Sequence, residues 1–254
     1  MLYFDTGIET VNAVAPPCPP PPDSLPVRSE GLDSHFTAGK SRMVKAREHL
    51  FTAGDARCHV YRIESGSVCL YKIMPDGCRQ VFDFPCAGEY VGLGSGIEHA
   101  CNARALEPLR VKCIAVADLN LNAERNPRLA VELYEAMSRE LMASQNHLCT
   151  IGQLSAAERV ACFLLALSRR GARRGEEART LVLPMSRSDI ADFLSLTIET
   201  VSRTLSKLRA DRLIDIEQHT NVRLLDTGEF ERLAAGEAAV QPARVTRLRE
   251  RHMP

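Results

Sequence analysis

The 254-residue chain carries no net charge of either sign, no C-x-x-C pair, no unbroken apolar run of membrane length, and no basic stretch leading into an apolar core at its N-terminus. Each absence excludes something. Without a run of ~18 apolar residues there is no candidate membrane span. Without the basic-then-apolar start no signal peptide is visible, so a cytoplasmic protein is expected. Nine scattered cysteines lacking the C-x-x-C spacing remove the commonest zinc and redox motifs, and in that compartment they read as reduced thiols. No serine–histidine–acid order, phosphate loop or metal-ligand spacing is present, so no catalytic residue, cofactor or metal is expected and the chain does not read as an enzyme. The balance of 32 basic against 32 acidic residues neither suggests nor excludes a nucleic-acid partner, because recognition depends on where charge clusters.

What is present falls into segments of different grammar, and the length suits two domains at ~100–200 residues each. Residues 1–35 include "APPCPPPPDSLP", where missing N–H groups resist helix and central strand alike, so a disordered arm is expected. Residues 36–122 hold short alternating runs. "VYRIES", "GSVCLYKI" and "MPDGCRQVFDF" read as strands separated by the turns Glu64-Ser65-Gly66-Ser67 and Pro75-Asp76-Gly77. Val60, Ile63, Val68, Leu70, Val81 and Phe84 are candidates for one shared core of an antiparallel β-roll or small barrel.

At residue 126 the period changes to that of a helix. Asn126 can cap it and Pro127 fits its first turn. Leu133, Met137, Leu141, Ser144, Leu148 and Ile151 then recur at steps of three and four, an apolar seam on a helix of roughly 24 residues. Helices of that length usually need a partner, so residues 123–152 are expected to pair two protomers through Leu133, Met137, Leu141, Leu148 and Ile151. Packing of the same face on the β-roll is the alternative. Ser155 and Glu158 have capping-box spacing and open a second helix, ended by the basic loop "RRGARRGEEAR". Residues 236–254 form a tail with arginines in "VQPARVTRLRERHMP", either solvated or attracted to phosphate without specificity.

The segment "MSRSDIADFLSLTIETVSRTLSKLRADRLIDI", residues 185–216, carries the chemistry. Ser186 and Asp189 start a short helix, "LSLT" breaks it, and Thr197 can cap the next. Val201, Leu205 and Leu208 make the inner stripe of that next helix, giving a helix-turn-helix. Glu199, Ser202, Arg203 and Ser206 fall on its opposite face. Arginine reaches guanine O6 and N7 together, glutamate accepts from cytosine N4, and serine does either, so Glu199, Ser202 and Arg203 are the base-reading candidates. Ser186, Thr197, Thr200 and Lys207 are placed to meet phosphate oxygens. The bland alternative is an ordinary i,i+4 ion pair between Glu199 and Arg203, worth ~0.3–0.5 kcal/mol. Leu213–Ile216 and Val222–Leu225 look like two strands about a polar turn, the wing of a winged helix-turn-helix spanning 153–235.

In the order of its parts, over residues 40–230, the chain resembles the Crp/Fnr superfamily of bacterial transcription regulators, and "DIADFLSLTIETVSRTLSKL" is similar to that family's signature. The resemblance implies an α+β chain: a cyclic-nucleotide-binding-like β-roll, a dimerisation helix and a winged helix-turn-helix. It also implies a homodimer on double-stranded DNA with a palindrome of TTGAT-like half-sites, read by Glu199, Ser202 and Arg203, with RNA polymerase as a further partner. Glu-x-x-Ser-Arg is the Fnr and FixK form. The cluster-bearing Fnr proteins have several N-terminal cysteines, whereas this arm offers Cys18 alone, and a cubane needs four thiolates. The cyclic-nucleotide branch has Gly-Glu followed by Arg-Ser; Gly88-Glu89 is present but "GIEHACNARALE" holds no Arg-Ser. "GEYVGLGSG" and "ARALE" look like the FixK type, which implies an activator of genes for low-oxygen or nitrogen-related metabolism. Alternatives at the β-roll are a cyclic nucleotide, a haem held by His99 or His147 with Cys101 or Cys113, or a redox thiol among Cys58, Cys69, Cys78, Cys86, Cys101 and Cys113. For Cys69, within a strand pattern, buried filler is the better reading.

Overall fold

A computed structural model describes residues 30–37, 39–218 and 220–236. Residues 1–29 of the proline-rich arm and 237–254 of the arginine-bearing tail lie outside the described residues. The limit of the arm at residue 35 needs correction, because Glu30–Thr37 is a helix, α1. Leu32 and Phe36, one turn apart, are buried against Leu129 and Leu119, and Asp33 pairs with Arg62 at 2.6 Å. Tertiary packing and a charge partner order this piece, neither of which is visible in its own residues.

The β-roll follows. Its strands are β1 (Lys40–Val44), β2 (His49–Phe51), β3 (His59–Ser65), β4 (Val68–Ile73), β5 (Arg79–Asp83), β6 (Tyr90–Val91), β7 (Asn102–Ala105) and β8 (Leu109–Ala115). They form two antiparallel four-stranded sheets, in the orders β1-β8-β3-β6 and β2-β7-β4-β5. Gly66, at φ 88°, turns β3 into β4, and its ideal Cβ would lie 2.6 Å from the Pro108 carbonyl oxygen, so no side chain fits there.

Val60, Ile63, Val68, Leu70, Val81 and Phe84 are all buried but do not share one core. Ile63, Val68 and Leu70 fill the space between the two sheets. Val60 joins Ile114, Leu119 and Leu129 under α1 and the helices that follow. Val81, Phe84 and Cys69 face the other way, into the C-terminal domain. Strand β4 shows the reason: Val68 and Leu70 point inside the roll while Cys69, between them, points out, as a period of two requires. Both faces of that strand are covered from Val68 to Leu70.

Helix α2 (Val116–Arg125) leads to α3 (Pro127–Gln153), whose 27 residues span about 40 Å at 1.5 Å each. Asn126 caps α3 through its Oδ1, which accepts from the Arg128 N–H at 3.1 Å. A two-residue extended joint, Leu154 and Ser155, separates α3 from α4 (Ala156–Arg173), where the Ser155 N–H donates to Glu158 Oε2 at 2.7 Å. Then come β9 (Thr180–Val182), α5 (Arg187–Leu194), α6 (Ile198–Ala210), β10 (Ile214–Glu217), β11 (Asn221–Leu224) and α7 (Thr227–Ala234). The wing is a three-stranded sheet, β10-β11-β9, with β9 contributed from before the two short helices.

Along α3, Leu133 packs against the chain's own cluster of Leu119 and Leu129. Met137, Leu141 and Leu148 are 46%, 60% and 64% exposed, and Ile151 is half-buried. Tyr134, 72% exposed, stands where the three-and-four spacing continues one step back from Met137. The outward seam therefore runs Tyr134, Met137, Leu141, Ser144, Leu148, Ile151, and Leu133 belongs to the inward side. No helix among the described residues is long and apolar enough to cross a membrane.

Candidate nucleic-acid interface

Two short helices with a tight corner position the candidate side chains. Ile190, Ala191 and Leu194 of α5 and Val201, Leu205 and Leu208 of α6 are buried in one cluster with Phe163, Leu164 and Phe230. Ser195 makes the corner in the left-handed conformation, φ 53° and ψ 49°, with the Leu196 N–H returning to the Ala191 carbonyl. Arg159 of α4 steadies it, donating to the carbonyls of Leu154 at 2.8 Å and Leu194 at 3.1 Å.

With the apolar stripe turned inward, Glu199, Ser202 and Arg203 stand exposed side by side on the outer face of α6. Spacing permits a Glu199–Arg203 ion pair, but among the described residues neither group has an ionic partner. Their charges are presented to solvent rather than spent on each other. The Ser206 hydroxyl, by contrast, donates to the Ser202 carbonyl at 2.9 Å. At the start of α6, Thr197 Oγ1 accepts from the Thr200 N–H at 3.1 Å and lies 2.9 Å from Thr200 Oγ1. Two hydroxyls sharing one hydrogen bond leave one proton to donate elsewhere, at the positive end of the helix. Lys207 is exposed one turn beyond Arg203. Between α6 and the wing lies a cleft of about 250 Å³ lined in part by Ser202, Ser206, Arg209 and Gln218. Arg209 and Arg223 approach Asp215 at 3.7 and 3.6 Å, so two more cations border this face.

Ser186 does not fit its expected role at phosphate. Its hydroxyl donates to Asp189 Oδ2 at 2.6 Å and its N–H donates to the same oxygen at 2.9 Å. Both donors are consumed inside the capping box, which leaves its side chain nothing to offer a phosphate oxygen.

The partners of Asp189 were not legible in the sequence. This carboxylate is only 3% exposed and takes Arg79 Nη2 of β5 at 2.8 Å and Arg104 Nη2 of β7 at 3.0 Å. Arg79 also grips Asp192, through Nε at 2.7 Å and Nη2 at 2.6 Å, and Gln80 donates to the Asp192 carbonyl at 2.9 Å. Both guanidinium groups lie over the Tyr71 ring, 5.5 and 5.9 Å from its centroid. Burial pushes the Asp189 carboxyl up, but hydrogen bonds from Ser186 and the Arg79 charge outweigh it and hold it below its ordinary 3.8. The S-x-x-D spacing gave away the cap, while the two arginines lie 110 and 85 residues upstream, beyond any local pattern.

The remaining candidates are dispersed. His99 is buried with its ring flat against Phe51, 3.6 Å between centroids, and His147 stacks on Phe193 at 4.0 Å. Among the described residues no group of three or more histidine, cysteine or acidic side chains could hold a metal. Cys69 is fully buried, and burial pushes its thiol up to about 12, as it does that of Cys86; Cys101 is pushed to about 11 by the same cause. Thiols shifted upward are poor nucleophiles at neutral pH. Glu89 accepts from the Cys86 N–H at 2.9 Å and lies 3.7 Å from Arg170 of α4. On β7, Ala103 and Ala105 face the inside of the roll and Arg104 points out to Asp189, so β7 supplies no cation to a phosphate inside.

Comparison with known proteins agrees with this architecture. Residues 158–233 match the Crp-like helix-turn-helix domain family and residues 41–124 the cyclic nucleotide-binding domain family. The chain is 37% identical over 205 residues to the nitrogen fixation regulation protein FixK of Bradyrhizobium diazoefficiens, covering 81% of this chain and 83% of that one. It is 37% identical over 189 residues to the transcriptional activatory protein AadR of Rhodopseudomonas palustris, covering 74% and 79%. The solved structure of FixK2 from Bradyrhizobium japonicum superposes with a TM-score of 0.73 at 31% identity, covering 77% of this chain and 96% of that one.

Proposed function

The chain belongs to the Crp/Fnr family of DNA-binding transcription regulators, and on that premise we propose that it is a dimeric activator that reads a palindrome of TTGAT-like half-sites through Glu199, Ser202 and Arg203. The observation that carries the reading is the exposure of these three groups, unpaired among the described residues, on the outer face of α6. A guanidinium free of its neighbouring carboxylate can take guanine O6 and N7, and the carboxylate can accept from cytosine N4. Thr197, Thr200 and Lys207 flank them as phosphate contacts, while Ser186 serves as a cap.

The outward seam of α3 supports pairing of two copies. Tyr134, Met137, Leu141, Ser144, Leu148 and Ile151 hold no charge, and an apolar stripe so exposed is stabilised when a second copy covers it. The pair works in the cytoplasm and recruits RNA polymerase. The description of AadR as a transcriptional activator and of FixK as a nitrogen fixation regulator supports activation of genes for nitrogen-related metabolism, and the FixK-type resemblance extends the reading to low-oxygen metabolism.

A second reading, control by a cyclic nucleotide, is favoured by the domain match over residues 41–124. Against it stand the outward Arg104 and the engaged Glu89. Mobility shifts on a TTGAT-type palindrome and a scrambled duplex, with and without cyclic AMP or cyclic GMP, test both. The expected result is a shift of the palindrome alone, indifferent to nucleotide; equal affinity for both duplexes overturns the reading, and a nucleotide-dependent shift favours the second one.

A further inference from the structure

The DNA-reading domain is joined to the long helix by only the two extended residues Leu154 and Ser155. A joint that short fixes a distance but leaves rotation free, so something else must set the direction in which α6 points. The apolar contact of Cys69, Val81 and Phe84 with the reading domain is one restraint. Such contact is non-directional and tolerates sliding. The directional restraints are polar: Arg79 forks across Asp189 and Asp192, Arg104 donates to the same Asp189 oxygen, Oδ1, and Gln80 holds the Asp192 carbonyl, while Arg170 of α4 adds a separate contact to Asp83 at 2.8 Å and to the Phe84 carbonyl at 3.2 Å.

Resting on the dimeric, palindrome-reading function above, we propose that Arg79 and Arg104 are positioning residues that set the spacing between half-sites the protein accepts. They touch no DNA. They act through Asp189, the third residue of α5, whose helix is packed rigidly on α6. In a dimer the two long helices fix the two β-rolls, the arginines fix each reading domain to its β-roll, and the separation of the two α6 helices follows. One added base pair displaces a half-site by ~3.4 Å along the axis and rotates it by roughly a tenth of a turn. A latched pair cannot follow that displacement; an unlatched pair can. Once its arginines are gone, a carboxylate as buried as Asp189 favours the undocked, hydrated arrangement.

The test uses the full chain and palindromes with identical half-sites whose spacers differ by one and two base pairs. The wild-type protein is expected to prefer one spacer by about tenfold or more in affinity, and the Arg79→Gln/Arg104→Gln variant by less than about threefold. The variant's preference for the correct half-site base opposite Arg203 should stay as in wild type, which a merely misfolded reading domain would not allow. The conservative Arg79→Lys/Arg104→Lys variant keeps charge without the fork and should fall between the two. An unchanged spacer preference in the glutamine variant, or loss of its base preference together with its spacing, overturns the inference. Failure of the wild-type protein to select any palindrome overturns the proposed function, and the positioning role with it.

Discussion

The ring of His147, on the long helix, lies 4.0 Å from that of Phe193, on the first helix of the helix-turn-helix, with only 20° between their planes. Phe193 in turn meets Phe84 of the β-roll and Phe163 of α4 at 5.3 and 5.5 Å, so all three parts of the chain converge there. His147 Nε2 is buried and has no hydrogen-bond partner among the described residues.

That contact makes stability depend on pH. Burial holds His147 below its ordinary 6.5, against smaller upward effects of the Phe193 backbone and the Asp83 charge; burial likewise lowers His99. The unfolded chain therefore takes up protons at a higher pH than the folded one, and stability falls as pH drops below 6.5. Thermal unfolding should give a lower melting temperature at pH 5 than at pH 7. In His147→Met the drop should shrink, leaving the share due to His99. An undiminished drop in that variant would refute the assignment.

Ser195 adopts φ 53° with a side chain that pays the usual steric penalty there. The left-handed conformation costs a non-glycine residue ~1–2 kcal/mol, and glycine returns ~0.5–1 kcal/mol of that through its freer unfolded chain. Ser195→Gly should stabilise the protein by about 0.5–1 kcal/mol in denaturant unfolding, with DNA affinity unchanged. A destabilised variant would mean that the corner is set by something other than backbone strain.

Arg203 and Lys207 should fail differently when replaced. Arg203→Ala should lose ~1–3 kcal/mol of discrimination at one guanine per half-site. Lys207→Ala should weaken binding to every duplex about equally and reduce the salt slope by roughly one phosphate per protomer. Titrations at several salt concentrations on matched and mismatched duplexes separate the two. A uniform loss in the Arg203 variant would remove its base-reading role.

Leu141→Glu places two like charges face to face in the middle of the proposed dimer seam. Sedimentation should find the variant monomeric, with affinity for the palindrome down by at least about tenfold, since each half-site is then bound alone. A variant that sediments as a dimer would show that another surface pairs the protomers.

The elements that local chemistry decides were readable from the residues. Asn126-Pro127, Ser155 with Glu158, and Ser186 with Asp189 each announced a helix start, because a cap is made within four residues of itself. The outer face of α6 followed from a period of 3.6 once Val201, Leu205 and Leu208 were recognised as its inner stripe. Helix α1 was hidden because its order comes from Leu129 and Arg62, far along the chain. Strand β9, three residues long, could not be seen until β11 lay beside it.

Sequence alone thus determined which side chains α6 turns outward, since helical periodicity needs only near neighbours. Tertiary structure decided what lies behind them. It divided the strand residues among three cores, turned Leu133 inward and Tyr134 outward, spent the Ser186 hydroxyl on a cap, and brought Arg79 and Arg104 to Asp189. The physical reason is range: periodicity and capping act over one or two turns, whereas a buried carboxylate is satisfied by whichever cations folding delivers, and nothing in its neighbours' identities says which.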